Sequence, residues 1–178
     1  MTQKPQILSV RTFAKGRRLS LESVELEFAN GNFAVFERVV NQGAAVMVVP
    51  VTDQGIIMVH EYANGTDRYE LGFVRGRTDE DETAEQAALR ELQEEVGLGA
   101  RELHYVRQMH PVPHYSNFQM DLFFARDCYP SHLEGDEIEP LRQSVWGFDE
   151  LAGLQDHPEI NDPRVLLALL MVEKWIKQ

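Results

Sequence analysis

The sequence predicts an α+β fold, a mixed sheet flanked by helices, and three observations predict it. Apolar residues alternate through residues 19–36, and two strand-length apolar runs follow at 44–51 and 55–62. Residues 84–96 instead repeat Ala84, Ala88, Leu92 and Val96 at every fourth position, the period of a helix with one buried face. After further strand patterns, the chain closes on two helical ones.

Taken in order, Leu19 to Val35 or Phe36 reads as a hairpin divided at Asn30-Gly31, a pair that tolerates the positive φ of a tight hairpin turn. Asp53-Gln54-Gly55 turns the chain between the two apolar runs. "GTDRYELGFVRG" reads as turn-rich. Thr83 with Gln86 forms a capping-box pair, so the central helix is placed from about Ala84, and Gly97 stops it. "ELHYVRQMH" and "FQMDLFFARDC" read as strands joined by a Pro-containing loop at 111–117. An acidic loop "SHLEGDEIEPL" follows, then a short strand "QSVWGF". The last two elements are helices, the second entered through Pro163. A boundary is expected near residues 40–43, between the first hairpin and the rest.

With 178 residues the chain fits one domain, or one with a small appendage, and can bury a core without disulfides. Cys128 is the single cysteine, which excludes an internal disulfide and multi-cysteine zinc ligation, so a reducing cytoplasm is expected. No window reaches the roughly 18 apolar residues of a membrane span, and the N-terminus reads as no signal peptide. Net charge is −12, from 17 Lys+Arg against 29 Asp+Glu. That balance speaks against long nucleic acid, which is held by phosphate neutralisation. It is compatible with a small phosphorylated ligand bridged by a divalent cation.

The acidic segment 76–98 carries eight carboxylates, Asp79, Glu80, Asp81, Glu82, Glu85, Glu91, Glu94 and Glu95, against Arg77 and Arg90. At 100° per residue Glu91 and Glu95 fall on the side of Ala84, Ala87 and Ala88, while Glu94 and Arg90 border the polar arc. Like charges one turn apart repel. A divalent cation held by carboxylate oxygens, Mg²⁺ or Mn²⁺, reverses that balance. A solvated charge run is the competing reading.

The spacing adds a resemblance. Gly76, five residues, Glu82, seven residues, then Arg90-Glu91-Leu92-Gln93-Glu94-Glu95-Val96-Gly97-Leu98 matches the box of the Nudix hydrolase family, G-x5-E-x7-R-E-U-x-E-E-x-G-U, at every fixed position. "FER" at 36–38, "YELGFVRG" before the box and "LEGDEIEP" after it resemble the ADP-ribose pyrophosphatase branch, and most of all its bacterial hydrolases of ADP compounds. The resemblance implies an α/β/α Nudix sandwich over residues 43–178, with the box at 76–98. An antiparallel N-terminal strand extension over 1–42 would serve a homodimer. It implies Glu91 and Glu95 as main Mg²⁺ ligands, Glu94 on the metal or its water, and the Arg75 carbonyl as a backbone ligand. Arg90 would orient the glutamates, and Glu82 would hold the loop or reach the second metal shell. Gly76 and Gly97 would serve backbone turns.

The activity implied is Mg²⁺-dependent cleavage of the pyrophosphate bond in ADP-ribose, NADH and diadenosine polyphosphates, releasing AMP. Another nucleoside diphosphate sugar such as GDP-mannose is the alternative, and a non-catalytic ligand sensor is a third reading. For the general base the resemblance points to the loop after the box, where Glu137 is favoured, Glu134 second, and Glu94 is another route. Arg38 would stack on adenine across the dimer, Glu70 would hydrogen-bond the adenine or ribose unless it is structural, and Tyr115 would cover the base. His110 and His114 are expected as plain loop histidines, Trp146 and Trp175 as core, and Cys128 as a small buried or half-buried residue.

Overall fold

The computed structural model describes residues 3–135 and 138–177. The chain divides into two compact units, Met1–Ala44 with His110–Gln119, and Ala45–Met109 with Met120–Gln178. No helix among the described residues is long and apolar enough to cross a membrane.

The first unit is a three-stranded antiparallel sheet of β1 (Gln6–Lys15), β2 (Leu19–Glu27) and β3 (Phe33–Asn41) in that order. Asn30-Gly31 makes the β2–β3 turn, with Gly31 at φ +80° and its N–H on the Phe28 carbonyl at 2.8 Å. Residues 110–119 join this sheet: the Val39 N–H donates to the Tyr115 carbonyl at 2.7 Å, and the Asn41 N–H to Asn117 Oδ1 at 2.7 Å. Every residue of β1 is exposed, and Phe33, Val35 and Phe36 of β3 are 62, 65 and 49% exposed.

The second unit holds a seven-stranded mixed sheet. Its main path runs β10 (Arg142–Trp146), β5 (Gly55–Ala63), β4 (Ala45–Thr52), β9 (Met120–Pro130), β8 (Leu98–Met109). Two strands lie off this path, β6 (Arg68–Gly72) on β5 and β7 (Val74–Arg77) on β4. The β4–β9 pair is parallel and the others are antiparallel. Strands β6 and β7 occupy the segment expected as turns. Its glycines and charges hide strand character that comes from pairing with β5 and β4 rather than from local preference.

Helix α1 (Ala84–Val96) covers one face of this sheet and α3 (Pro163–Ile176) the other, while α2 (Leu151–Leu154) is a single turn. The period of two in the strands divides the core accordingly. Val46, Val48, Val74, Phe123 and Ala125 pack with Ala87, Ala88 and Leu92 of α1. Phe124, one residue on, turns to the opposite layer, where its ring lies 5.0 Å from that of Trp175 on α3. Trp146 and Trp175 are half-buried rather than core. Trp175 lies near the end of α3 beneath the Arg126 guanidinium, 3.9 Å from its ring centroid. Cys128 is half-buried, and burial pushes its thiol pKa up.

Candidate active site

Helix α1 begins where its cap dictates. Thr83 Oγ1 accepts from the Gln86 N–H at 3.2 Å, and Gln86 Oε1 accepts from the Thr83 N–H at 2.8 Å. It ends at Gly97, whose φ of +69° is the left-handed conformation that glycine adopts without strain. Between these caps the buried stripe includes two charges, Glu91 and Glu95, 8 and 7% exposed.

Gly76 explains how Glu91 fits there. It lies within β7, not in a turn as expected. A Cβ on Gly76 would stand 1.9 Å from the Glu91 carboxyl carbon, so the absent side chain is the seat of that carboxylate. The neighbouring residue contributes a backbone contact: the Arg75 N–H donates to Glu95 Oε1 at 3.3 Å.

Arg90 organises the charges. Its Nε and Nη2 reach Glu82 Oε1 and Oε2, both at 2.9 Å. Nη1 reaches Glu91 Oε1 at 2.7 Å and Glu94 Oε2 at 2.8 Å, and Nη2 also donates to the Arg77 carbonyl at 2.7 Å. All five guanidinium donors are thereby engaged, a pattern that lysine cannot reproduce. The Glu82 hydrogen bonds lead the causes that raise the Arg90 pKa and fix it as a cation. The same bonds hold the Glu82 carboxyl below its usual range. Glu82 in turn accepts from the Asp79 N–H at 3.1 Å and so fastens the loop that enters the helix.

The loop after β9 is attached to the C-terminal half of α1. The Ser131 N–H donates to the Gly97 carbonyl at 2.9 Å, the Leu133 N–H to the Gln93 carbonyl at 3.3 Å, and Gln93 Nε2 to Ser131 Oγ at 2.6 Å. These bonds bring Glu134 to the cavity, of about 380 Å³, that Glu94 and Glu95 line. His132 and Gln143 line it too, and Gln143 Nε2 donates to the Glu95 carbonyl at 3.3 Å. Sequence reasoning passed over His132 and Gln143 because neither belongs to a motif; only their strand and loop positions bring them here. Glu137, the favoured base, lies outside the described residues.

Among the described residues no three His, Cys, Asp or Glu side chains are gathered into a metal cage, and Arg90 bonds both Glu91 and Glu94. The donor set still fits a hard divalent cation. It consists of carboxylate oxygens, two of them on the buried Glu91 and Glu95 one helical turn apart, with open cavity beside Glu94 and Glu95. Mg²⁺ is usually held in this manner, by one or two carboxylates completed by water and substrate phosphate.

Residues 41–169 match the NUDIX domain. The chain belongs to the Nudix family. Residues 5–38 match the NudE-type Nudix hydrolase N-terminal domain. The chain is 44% identical over 176 residues to the ADP compounds hydrolase NudE of Escherichia coli (strain K12), covering 98% of this chain and 95% of that protein. It is 32% identical over 170 residues to the ADP-ribose pyrophosphatase of Bacillus subtilis (strain 168), covering 91% of each. A crystal structure of an ADP compounds hydrolase superposes with a TM-score of 0.94 at 44% identity, covering 99% of this chain and 96% of that one.

The Nudix box residues thus stand together, whereas the three residues expected to bind substrate are divided between the two units. Arg38 and Tyr115 belong to the first unit, joined through the Val39–Tyr115 backbone bond. Arg38 lies on the rim of a groove of about 520 Å³, with Nε and Nη2 on Glu22 Oε2 at 3.0 and 2.8 Å. Tyr115 is 69% exposed. Glu70 belongs to the second unit and is buried. Its Oε1 accepts from Thr66 Oγ1 at 3.1 Å and Arg68 Nε at 2.6 Å, and its Oε2 from Asn161 Nδ2 at 3.1 Å. Burial pushes the Glu70 carboxyl up, but the bonds from Arg68, Asn161 and Thr66 outweigh it and hold its pKa below the usual value. These contacts favour the structural alternative for Glu70. His110 and His114 are exposed on the 110–119 segment.

Proposed function

We propose that this Nudix hydrolase cleaves the pyrophosphate bond of ADP-containing compounds (ADP-ribose, NADH and diadenosine polyphosphates) with Mg²⁺, releasing AMP. The observation that carries the proposal is an unbroken box with its charges gathered on Arg90, in a chain 44% identical over nearly its whole length to an ADP compounds hydrolase. Mn²⁺ offers the same coordination preferences and would substitute.

Glu91, Glu94, Glu95 and the Arg75 carbonyl would hold the cation, with Glu82 supporting them through Arg90. When bound, the ion screens phosphate charge and lowers the pKa of water so that hydroxide is available near neutrality. The protein's own groups do the positioning. Arg90 keeps three carboxylates oriented by charge-assisted hydrogen bonds. The general base would be Glu137, with Glu134, which lines the same cavity as Glu94 and Glu95, second, and Glu94 as another route. Arg38 and Tyr115 would engage the adenosine end. In ADP-ribose, water adds across the anhydride and yields AMP and a ribose phosphate.

The first unit would pair two copies. A three-stranded sheet with an entirely exposed outer strand and exposed Phe33, Val35 and Phe36 has little core of its own, and such apolar surface is ordinarily covered by a partner. The net charge of −12 disfavours long nucleic acid as a partner. A lone unpaired cysteine fits the cytoplasm.

The test is product analysis with ADP-ribose, NADH, diadenosine triphosphate and GDP-mannose in parallel, with and without EDTA. AMP from the adenine compounds, lost with EDTA and restored by Mg²⁺, is expected. GMP from GDP-mannose at equal or higher rate would move the assignment to nucleotide sugars, and no product with Mg²⁺ or Mn²⁺ would sink it.

A further inference from the structure

Strand β7 is four residues long, yet it carries the backbone beneath the buried glutamates. Its alternation puts Val74 and Gly76 on the α1 face, where Val74 joins the α1 core and Gly76 seats Glu91. Arg75, between them, sends its side chain to the other face. There Nε and Nη2 donate to Glu61 Oε2 at 3.1 and 2.7 Å, and Nη1 to Asp162 Oδ2 at 3.3 Å. Asp162 is the N-cap of α3 and accepts from the Arg164 N–H at 2.8 Å. One residue therefore has its guanidinium fixed by β5 and by the start of α3, while its own amide holds a carboxylate on α1.

We propose that the Arg75 side chain is a positioning group for Glu95. Clamped by Glu61 and Asp162, it fixes the Arg75 amide at the height that orients the Glu95 carboxylate. The side chain itself stays away from the substrate. The expected dependence follows from rigidity: a four-residue strand paired only to β4 among the described strands has few bonds to hold its position, and the clamp supplies three more. Truncating Arg75 also leaves Glu61 without its guanidinium partner, while Asp162 keeps that of Arg164. This inference rests on the reading of Glu95 as a metal ligand.

The experiment compares wild type, Arg75→Gln, Arg75→Lys and Glu95→Gln with Arg126→Ala, whose lost contact is the Trp175 ring. For each, Tm, kcat, KM for ADP-ribose and Mn²⁺ affinity by EPR titration are measured. For Arg75→Gln we expect kcat and Mn²⁺ affinity both to fall by about tenfold or more with KM little changed, as loss of groups that orient metal ligands typically does. Arg75→Lys should recover part of both. Arg126→Ala, although less stable, should keep both. If Arg75→Gln loses Tm but keeps kcat and Mn²⁺ affinity within about twofold, its role is structural and the proposal is overturned. If Arg75→Gln does not fold, Glu61→Gln takes its place under the same criteria. A Glu95→Gln variant with unchanged Mn²⁺ affinity would instead reject the underlying metal reading, whatever Arg75 does.

Discussion

At Gly76 a missing side chain, and at Arg90 a guanidinium, decide whether the acidic segment is a site or a liability. Gly76→Ala would drive a methyl into the Glu91 carboxylate at 1.9 Å, so that carboxylate must leave its seat. We expect activity to fall by at least about a hundredfold, with Tm also lowered, checked by turnover and thermal unfolding. Glu94→Gln and Glu95→Gln should each lower turnover by orders of magnitude while circular dichroism stays that of wild type. Near-normal turnover in either variant would remove that residue from the metal set. For the base, Glu134→Gln and Glu137→Gln are to be compared directly, and the variant that abolishes kcat while the other retains it names the residue.

At the scale of elements, α1 was legible in the sequence to the residue. Its caps, its period and its carboxylate stripe are local properties, and Thr83→Ala should cost about 1 kcal/mol, read from the denaturant midpoint. Strands β6 and β7 were not legible because their identity comes from pairing with distant β5 and β4. Arg75 was expected only as a carbonyl, since Glu61 and Asp162 lie 14 and 87 positions away in the chain. Where β5 meets β10, His60 opposes Arg142 in register, and Arg142 Nη2 lies 2.9 Å from His60 Nδ1. Burial first, then Arg142 and His157, lowers the His60 pKa, while Glu159 at 3.3 Å opposes them. The folded state then binds fewer protons than the unfolded state below the unfolded value of about 6.5. This stability is complete above that pH and is lost as the pH falls through the window. His60→Asn should flatten the fall of unfolding free energy as the pH drops below about 6.5.

For the whole molecule, the strand-rich N-terminus could be read from patterning. The membership of residues 110–119 in the first unit could not, because it depends on hydrogen bonds from the Val39 and Asn41 amides to the Tyr115 carbonyl and the Asn117 side chain, some 75 residues later. The tryptophans were misjudged for a related reason. Size and apolarity suggest the core, but Trp175 stands near the end of a terminal helix, with Phe124 against its ring and the Arg126 guanidinium over it. Sedimentation velocity should give a dimer for the wild type and a monomer for a Phe33→Glu/Val35→Glu variant. A wild-type monomer would withdraw Arg38 as a cross-subunit contact.

The division of labour along β9 has a consequence for how such a chain can change in length. Phe123 belongs to the α1 layer and Phe124 to the α3 layer, and β9 runs parallel to β4 in fixed register from Met120 to Ala125. Inserting or deleting one residue within that stretch would reverse every side chain beyond it, exchanging the packing of both layers at once. Length variation should therefore gather outside it, as near Tyr105 and Arg107 of β8, where the ladder already absorbs an irregularity. A library of single-codon insertions, scored for soluble expression, should be depleted between residues 120 and 125 and enriched in the loops.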